Sequence, residues 1–407
     1  MRFIADFHIH SKYSRATSPQ MDLENLDKWA KIKGIKVLGT GDFTHPLWFK
    51  EIKEKLEPVE SGFFKLKKSN SEIRFILTAE ISCIYSKNGK VRKIHIIVFA
   101  PSFEVVEKIN THLSWIGNLK ADGRPILGLD AKELAKIVLN TSEDCLIVPA
   151  HIWTPWFSIF GSKSGFNSIE ECFEDYSKYI YAIETGLSSS PEMNWRLSSL
   201  DKITLISNSD SHSPAKIGRE ANVFEGKELN YQSIIKAIKI GGGSPSANLR
   251  MIYTVEFFPE EGKYHFDGHR NCNVCFSPQE SKKYNNICPN CRKPLTIGVL
   301  NRVEELADRP DSFKPENAIP FKSLVPLTKI ISDALGVLSE TKQVKEEYEK
   351  LIRELNNEFN ILLDASESEL KKVTLSEIVE GIIRVRQGKV FQEPGYDGVY
   401  GKIKIFL

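Results

Sequence analysis

Up to about residue 225, short apolar runs alternate with stretches whose hydrophobic positions recur at helical spacing, the pattern of repeated βα units. The apolar runs predict strands over residues 3–7, 36–38, 73–77, 91–99, 145–148, 179–183 and 203–206. Leu23, Leu26, Ala30 and Lys33 mark one intervening helix, and Leu134, Ile137 and Val138 another. Asn88-Gly89 between two strand-like runs is a hairpin signal. The glycine run from Gly241 to Gly243 with Pro245 predicts a boundary, and a Tyr/Val/Phe-rich strand over 251–258 leads into a cysteine-bearing module. Pro310, Pro315 and Pro320 mark a linker over 301–323. From Leu324 the chain reads as helical. Val344, Tyr348, Leu351, Leu355 and Phe359 keep helical spacing, and Thr374 with Glu377 predicts a capping box before Ile378, Ile382 and Ile383. The end, 388–407, reads as turns and a short strand.

Composition narrows the class. With 407 residues and 41% hydrophobic side chains, the chain can fill two or three ordinary cores. Lys and Arg number 55 against 53 Asp and Glu, so a nucleic-acid surface must be a local patch. No apolar run approaches the ~20 residues of a membrane span. The start, MRFIADFHIHS, reads as an amphipathic strand and not a signal peptide, which predicts a cytoplasmic protein. Seven cysteines are too few for a disulfide framework, and four of them form two C-x-x-C pairs, which points to metal. The 27% charged residues, rich in Lys and Glu, fit a thermophile.

Ligand-type residues fall in a pattern. His8 and His10 are two apart at the end of a strand, so their side chains leave one face and can meet one metal. Asp210 and His212 repeat that spacing after the last predicted strand. Asp42 ends the second strand, with His45 three residues on. Glu80 closes the third run, His95 lies within the next strand, His151 follows the fifth, and Glu184 follows the sixth. Any single histidine here reads more readily as a surface or satisfied core residue than as a ligand, and Glu184 alone reads equally as plain loop chemistry. As a set they deliver imidazoles and carboxylates at or near strand ends, which in an α/β barrel converge on one rim.

The His-x-His start, the Gly-Asp-Phe-Thr-His segment, Glu80, His95, His151 and the closing Asp-Ser-His resemble the motif series of the polymerase-and-histidinol-phosphatase (PHP) superfamily. The resemblance implies a distorted (β/α)7 barrel over residues 1–245 and up to three divalent ions. Carried over by motif, His8, His10, Glu80 and Asp210 hold one ion, and Glu80 bridges to a second bound by His95 and His151. A third uses His212 with His45 or Asp42. The chain departs from the common form here. It separates Asp42 from His45, and it has Ser14, Arg15 and Ala16 where many relatives carry a further histidine. Imidazole-rich sites suit zinc, manganese or iron better than magnesium, which a carboxylate-bound third position could accept. Paired cations would activate a water and clamp a phosphate. Arg15, Arg196 and Arg219 are candidates for neutralising that phosphate.

Cys272-x-x-Cys275 and Cys288-x-x-Cys291, twelve residues apart, match a four-thiolate structural zinc ribbon within 246–323. Residues 263–302 hold seven Lys/Arg, including Lys282 and Lys283, against two acids, a balance that favours a phosphate backbone. Arg384, Arg386 and Lys389 offer further phosphate contacts in the helical region 324–407. A barrel with this ribbon and tail resembles the endonuclease Q family, most clearly over Gly39-Thr-Gly-Asp-Phe-Thr-His-Pro, His151-Ile-Trp-Thr-Pro-Trp-Phe and Glu393-Pro-Gly-Tyr-Asp-Gly-Val-Tyr-Gly. The resemblance implies an archaeal or bacterial repair nuclease that cuts double-stranded DNA 5′ to deaminated bases (hypoxanthine, uracil, xanthine) or abasic sites. On that reading Trp153, Trp156 and Phe160, followed by Lys163, form a pocket or wedge for an extruded base. The competing reading makes them a hydrophobic plug.

Two other functions compete. A small-molecule phosphatase of the histidinol-phosphate type needs neither ribbon nor tail. A non-catalytic DNA-binding module needs no near-complete ligand set. Repair proteins often reach a sliding clamp through a terminal Gln-x-x-Ile-x-x-aromatic-aromatic peptide; none precedes Leu407, so clamp association stays open.

Overall fold

The computed structural model describes residues 1–241 and 248–406, so the predicted boundary from Gly242 through Pro245 lies outside the described residues. Seven strands stand side by side in chain order: β1 (Arg2–Asp6), β2 (Val37–Gly39), β3 (Arg74–Lys87), β4 (Lys90–Ala100), β5 (Leu146–Pro149), β6 (Ala182–Glu184) and β7 (Thr204–Ile206). β1, β2 and β3 are parallel neighbours, as are β6 and β7. Just past the end of β5, the Ile152 N–H donates at 3.0 Å to the carbonyl of Glu184, the last residue of β6. A parallel bridge between Ile9 and Ser211 brings the end of β7 back to β1. The ring is a distorted seven-stranded α/β barrel.

One strand breaks the uniform βα series. β3 and β4 form a long antiparallel hairpin, and β4 also runs against β5. Asn88 and Gly89 close it with φ of 53° and 71°, the left-handed pair that a tight hairpin turn requires. The third strand therefore continues well past residue 77, placing Glu80 in mid-strand, and His95 lies inside β4 instead of at a carboxyl end.

Helix Leu23–Lys33 forms where predicted. Asp22 caps it by accepting from the Asn25 N–H, and Gly34 ends it at φ 88°. It buries Leu23, Leu26 and Ala30, and Lys33 ties it to the tail through a 2.6 Å pair with Glu358. Glu358 also accepts from Tyr348 Oη at 2.7 Å and the Leu327 N–H at 3.1 Å, so this buried carboxylate is fully engaged.

Beyond the barrel, Ala221–Gly226 pairs with β1 and with Leu249–Glu256, whose far edge takes Phe321–Ser323. The stretch predicted as linker instead carries this strand and helix Val299–Leu306. The cysteine module is a hairpin, Asp267–His269 with Val274–Phe276, and a short helix, Pro278–Lys283, over a core of Val274, Cys288 and Leu295. The tail has helices Leu327–Leu335, Lys342–Leu355, Glu367–Val373 and Ser376–Arg386. The Thr374 capping box does not form: Thr374 ends the preceding helix and its hydroxyl donates to Glu347, leaving Leu375 as a cap without a side-chain bond. Among the described residues no helix is long and apolar enough to cross a membrane.

Candidate metal centre and its pocket

Two ligand clusters meet on one glutamate. One donor atom each from His8, His10, Glu80 and Asp210 lie within 4.8 Å of one another, as do donors from Glu80, His95 and His151. Glu80 divides its oxygens between them. Oε1 lies 2.7 Å from His95 Nδ1 and 3.0 Å from His151 Nε2, while Oε2 lies 3.2 Å from His10 Nε2 and 3.6 Å from His8 Nε2. Asp210 Oδ1 completes the first cluster at 3.1 Å from His10 Nε2. His8 Nε2, His10 Nε2 and Asp210 Oδ1 are buried and make no geometrically sound hydrogen bond. Lone pairs converging in this way suit divalent cations.

A second layer aims these groups. His8 Nδ1 donates to Glu184, whose carboxylate lies 3.0 and 3.1 Å away and also accepts from the His151 N–H at 2.8 Å and Asn208 Nδ2 at 3.0 Å. His10 Nδ1 donates to Asp42 Oδ1 at 3.0 Å. Both bonds fix the tautomer that leaves Nε2 free for a metal. Asp42, His151 and Asp210 have φ of 49°, 30° and 46°, a left-handed region costly for non-glycine residues, which the surrounding bonds hold in place.

Electrostatics fit the same reading. Burial works to lower the imidazole pKa of His8, yet Glu184, Glu80 and Asp210 outweigh it and raise it well above the ordinary value. His10 behaves likewise, through Asp42, Asp210 and Glu80. Burial acts against the Glu80 anion, but His95, Arg124 and His8 hold its pKa well below the usual range. The carboxylates thus hold protons on His8 and His10, and a cation bound at Nε2 would replace them.

None of His212, His45 and Asp42 belongs to a group of three or more ligand-type donors within 4.8 Å among the described residues. Asp42 spends Oδ2 on the Ser11 N–H, Ser11 Oγ and Ser14 Oγ at 2.6 to 2.8 Å. Ser14, standing where many relatives carry histidine, helps turn Asp42 into a support for His10. His45 caps helix Pro46–Lys55 and stacks on Tyr13 at 4.4 Å. His212 lies beside the His10 ring at 4.6 Å and donates Nδ1 to the Asp210 carbonyl.

A pocket of about 510 Å³ opens over the clusters, lined by His95, His151 and Asp210 with Arg15, Arg124, Trp156 and Tyr264. Of the three predicted aromatics, only Trp156 reaches it, 37% exposed and edge-on to Tyr264 at 5.6 Å. Trp153 and Phe160 are buried against each other, and the Trp153 indole N–H donates to Asn194 Oδ1 at 2.8 Å. They plug the core and meet no base from these positions. The loop is anchored by Arg302, which donates to the Phe160 and Phe166 carbonyls at 3.1 and 3.0 Å and is lost to the basic patch. Lys163 is exposed on the same loop.

Several basic candidates serve the fold. Arg196 pairs with Asp311 at 2.7 Å, Arg386 donates to the Leu362 and Ile361 carbonyls, and Arg219 holds the Ser209 carbonyl at 2.8 Å. Arg384 approaches Glu380 at 3.4 Å. Lys282 and Lys283 are exposed, the former 3.3 Å from Glu304.

In the cysteine module the four grouped donors are not the four thiolates. Donors from His269, Cys272, Cys288 and Cys291 lie within 4.8 Å of one another, whereas Cys275 Sγ faces the Pro394 carbonyl at 3.9 Å. His269 stands three residues before the first cysteine, a weak signal that the two C-x-x-C pairs overshadowed. Arg124 and Tyr264 carried no motif at all.

A distorted seven-stranded barrel gathering imidazoles around a shared glutamate is the architecture of the PHP superfamily. Within it the likeness is closer. The fold superposes with a TM-score of 0.87 and 31% identity on the lesion-specific endonuclease PfuEndoQ from Pyrococcus furiosus, covering 99% of this chain and 95% of that one. It matches endonuclease Q bound to a 27-mer duplex with an abasic lesion at the active site equally well, with a TM-score of 0.87 and 32% identity over 100% of this chain and 97% of that one. The chain belongs to the endonuclease Q family. It is also 28% identical to the uncharacterized protein YqxK of Bacillus subtilis over 99% of both. It is 36% identical to the uncharacterized protein MJ0043 of Methanocaldococcus jannaschii over 62% of this chain but only 31% of that protein. Residues 326–389 match the family model for the MJ0043 C-terminal domain.

Proposed function

We propose that this protein is a metal-dependent endodeoxyribonuclease that hydrolyses duplex DNA on the 5′ side of a deaminated base or an abasic site. One observation carries the reading: two ligand clusters share Glu80, and their His95, His151 and Asp210 line a pocket with Trp156 and Tyr264. His8, His10, Glu80 and Asp210 would hold one divalent ion, and Glu80, His95 and His151 a second. Such a pair would supply charge for a phosphodiester's non-bridging oxygens and would lower the pKa of a water between them. Glu184 and Asp42 orient the imidazoles, and Trp156 with Tyr264 offers a stacking surface for a base turned out of the duplex. The solved relative with an abasic lesion at its active site supports this assignment.

The test incubates protein and manganese with duplexes carrying one deoxyuridine, deoxyinosine or abasic site, beside undamaged duplex and histidinol phosphate. Nicking 5′ to the lesion at least ~10-fold faster than elsewhere is expected, a modest discrimination for a site that selects by base extrusion. Phosphate release from histidinol phosphate without nicking refutes the reading.

A further inference from the structure

We propose that Arg124 is a catalytic residue of this centre, its guanidinium contacting the non-bridging oxygens of the phosphate that enters the pocket. The inference rests on the phosphodiesterase reading above and adds a protein cation to the ions the clusters would hold.

Arg124 Nη1 donates to Glu80 Oε2 at 2.9 Å, the oxygen shared with His8 and His10. Its side chain is 26% exposed, and it lines the pocket with His95, His151 and Asp210. Among the described residues that bond is the guanidinium's one hydrogen bond, so its other donors are open to an incoming ligand. A permanent cation beside two cation sites is unfavourable for the ions alone, because like charges a few ångströms apart repel. It becomes favourable when an anion sits among all three. A guanidinium presents a planar fork that matches two phosphate oxygens, and preorganised donors stabilise charge that develops there.

The segment bearing Arg124 is built to hold it. Asp122 Oδ1 accepts from the Arg124 N–H at 3.1 Å and the Arg15 N–H at 3.3 Å. The Gly123 N–H donates to the Tyr13 carbonyl at 3.0 Å, Thr44 Oγ1 to the Gly123 carbonyl at 3.2 Å, and the Ser82 N–H to the Pro125 carbonyl at 3.0 Å. Gly123 passes so near the ligand shell that a Cβ there would meet both Asp42 Oδ2 and Ser14 Oγ, so only glycine lets the segment approach. Asp122 also takes Arg15 Nε at 3.3 Å, setting a second, 78% exposed guanidinium at the same rim. Asp122 is thus a positioning residue for both arginines.

The experiment compares wild type with Arg124→Lys and Arg124→Gln, each loaded with manganese. It reads metal per chain by mass spectrometry, inorganic phosphate affinity by calorimetry, and kcat and KM on abasic duplex. Both variants should keep wild-type metal content. Phosphate affinity should fall on the order of 10-fold or more, and kcat of Arg124→Gln on the order of 100-fold, with partial recovery in Arg124→Lys. If metal content and activity fall together, Arg124 merely pins Glu80 and the proposal is overturned; unchanged phosphate affinity and kcat overturn it equally. Failure of wild type to nick damaged DNA, with phosphate binding still weakened in Arg124→Gln, removes the DNA reading and keeps the arginine's role.

Discussion

Glu184 shows how a residue that touches no substrate can govern a site. Fully buried, it accepts from His8 Nδ1, the His151 N–H and Asn208, thereby joining both ligand clusters. A neutral amide in its place could keep the shape but would hold His8 less firmly in the metal-binding tautomer. Glu184→Gln is expected to weaken binding of the first ion by about 10- to 100-fold, as loss of such a partner typically does, without unfolding the barrel. Manganese titration with circular dichroism as the control checks this; unaltered affinity would show that Glu184 only fills space. Glu184 was visible as a carboxylate ending a strand. Its role as partner of His8 was not, because which atom a carboxylate faces depends on strands far apart in the chain.

Among the elements, the cysteine module carries the sharpest expectation. Its hairpin pairs Gly268 with Cys275 and His269 with Val274, and in this register His269 joins three cysteines while Cys275 turns to Pro394. Cys275→Ser should therefore retain one zinc per chain, whereas His269→Ala should lose it, and cobalt-loaded protein should show the absorption of three thiolates and not four. Equal zinc loss from both variants would restore the four-thiolate reading. The tail segment from Pro394 to Gly401 is explained by the same module: Tyr396 bridges to Phe266, and the Arg270 N–H donates to Asp397 Oδ2 at 2.7 Å. The same segment also holds the turn that precedes the module, the Gly395 N–H donating to the Glu260 carbonyl at 2.8 Å and the Gly401 N–H to the Glu261 carbonyl at 3.1 Å.

At the scale of the whole molecule, carboxylates buried between the barrel and its added strands set a pH dependence. Glu256, at the end of the strand paired with Ala221–Gly226, is pushed up to about 7 by burial, against hydrogen bonds from Thr254 and Thr185. Glu220 beside it is raised well above the ordinary range by burial and by Glu256. A carboxyl with a raised folded pKa binds its proton more tightly when folded. Its stabilisation is complete below the ordinary 4.5 and is lost as pH rises through the folded value. Wild type should therefore lose stability as pH rises from about 4.5 towards neutrality, the raised Glu256 and Glu220 carboxyls both acting in that direction. Glu256→Gln should flatten that part of the curve in denaturant melts at pH 5 and pH 8. Parallel curves for the two proteins would show that the group stays ionised throughout.

Sequence alone picked out the barrel donors His8, His10, Glu80, His95, His151 and Asp210 and roughly where the strands that carry them lie, because strand periodicity and the i, i+2 spacing of His8-His10 and Asp210-His212 are local properties of the chain. It likewise determined helix Leu23–Lys33, whose cap, apolar stripe and glycine stop are all written within a dozen residues. Only the tertiary structure decided that Trp156 and not Trp153 or Phe160 meets the pocket, and that His269 rather than Cys275 stands with the other three cysteines. Only there do Arg196, Arg302 and Arg386 spend their charge on the fold while Arg124 reaches Glu80. The physical reason is common to all of these. A residue's chemistry is carried by its own atoms, but its exposure and its partners are set by chain segments tens to hundreds of residues away.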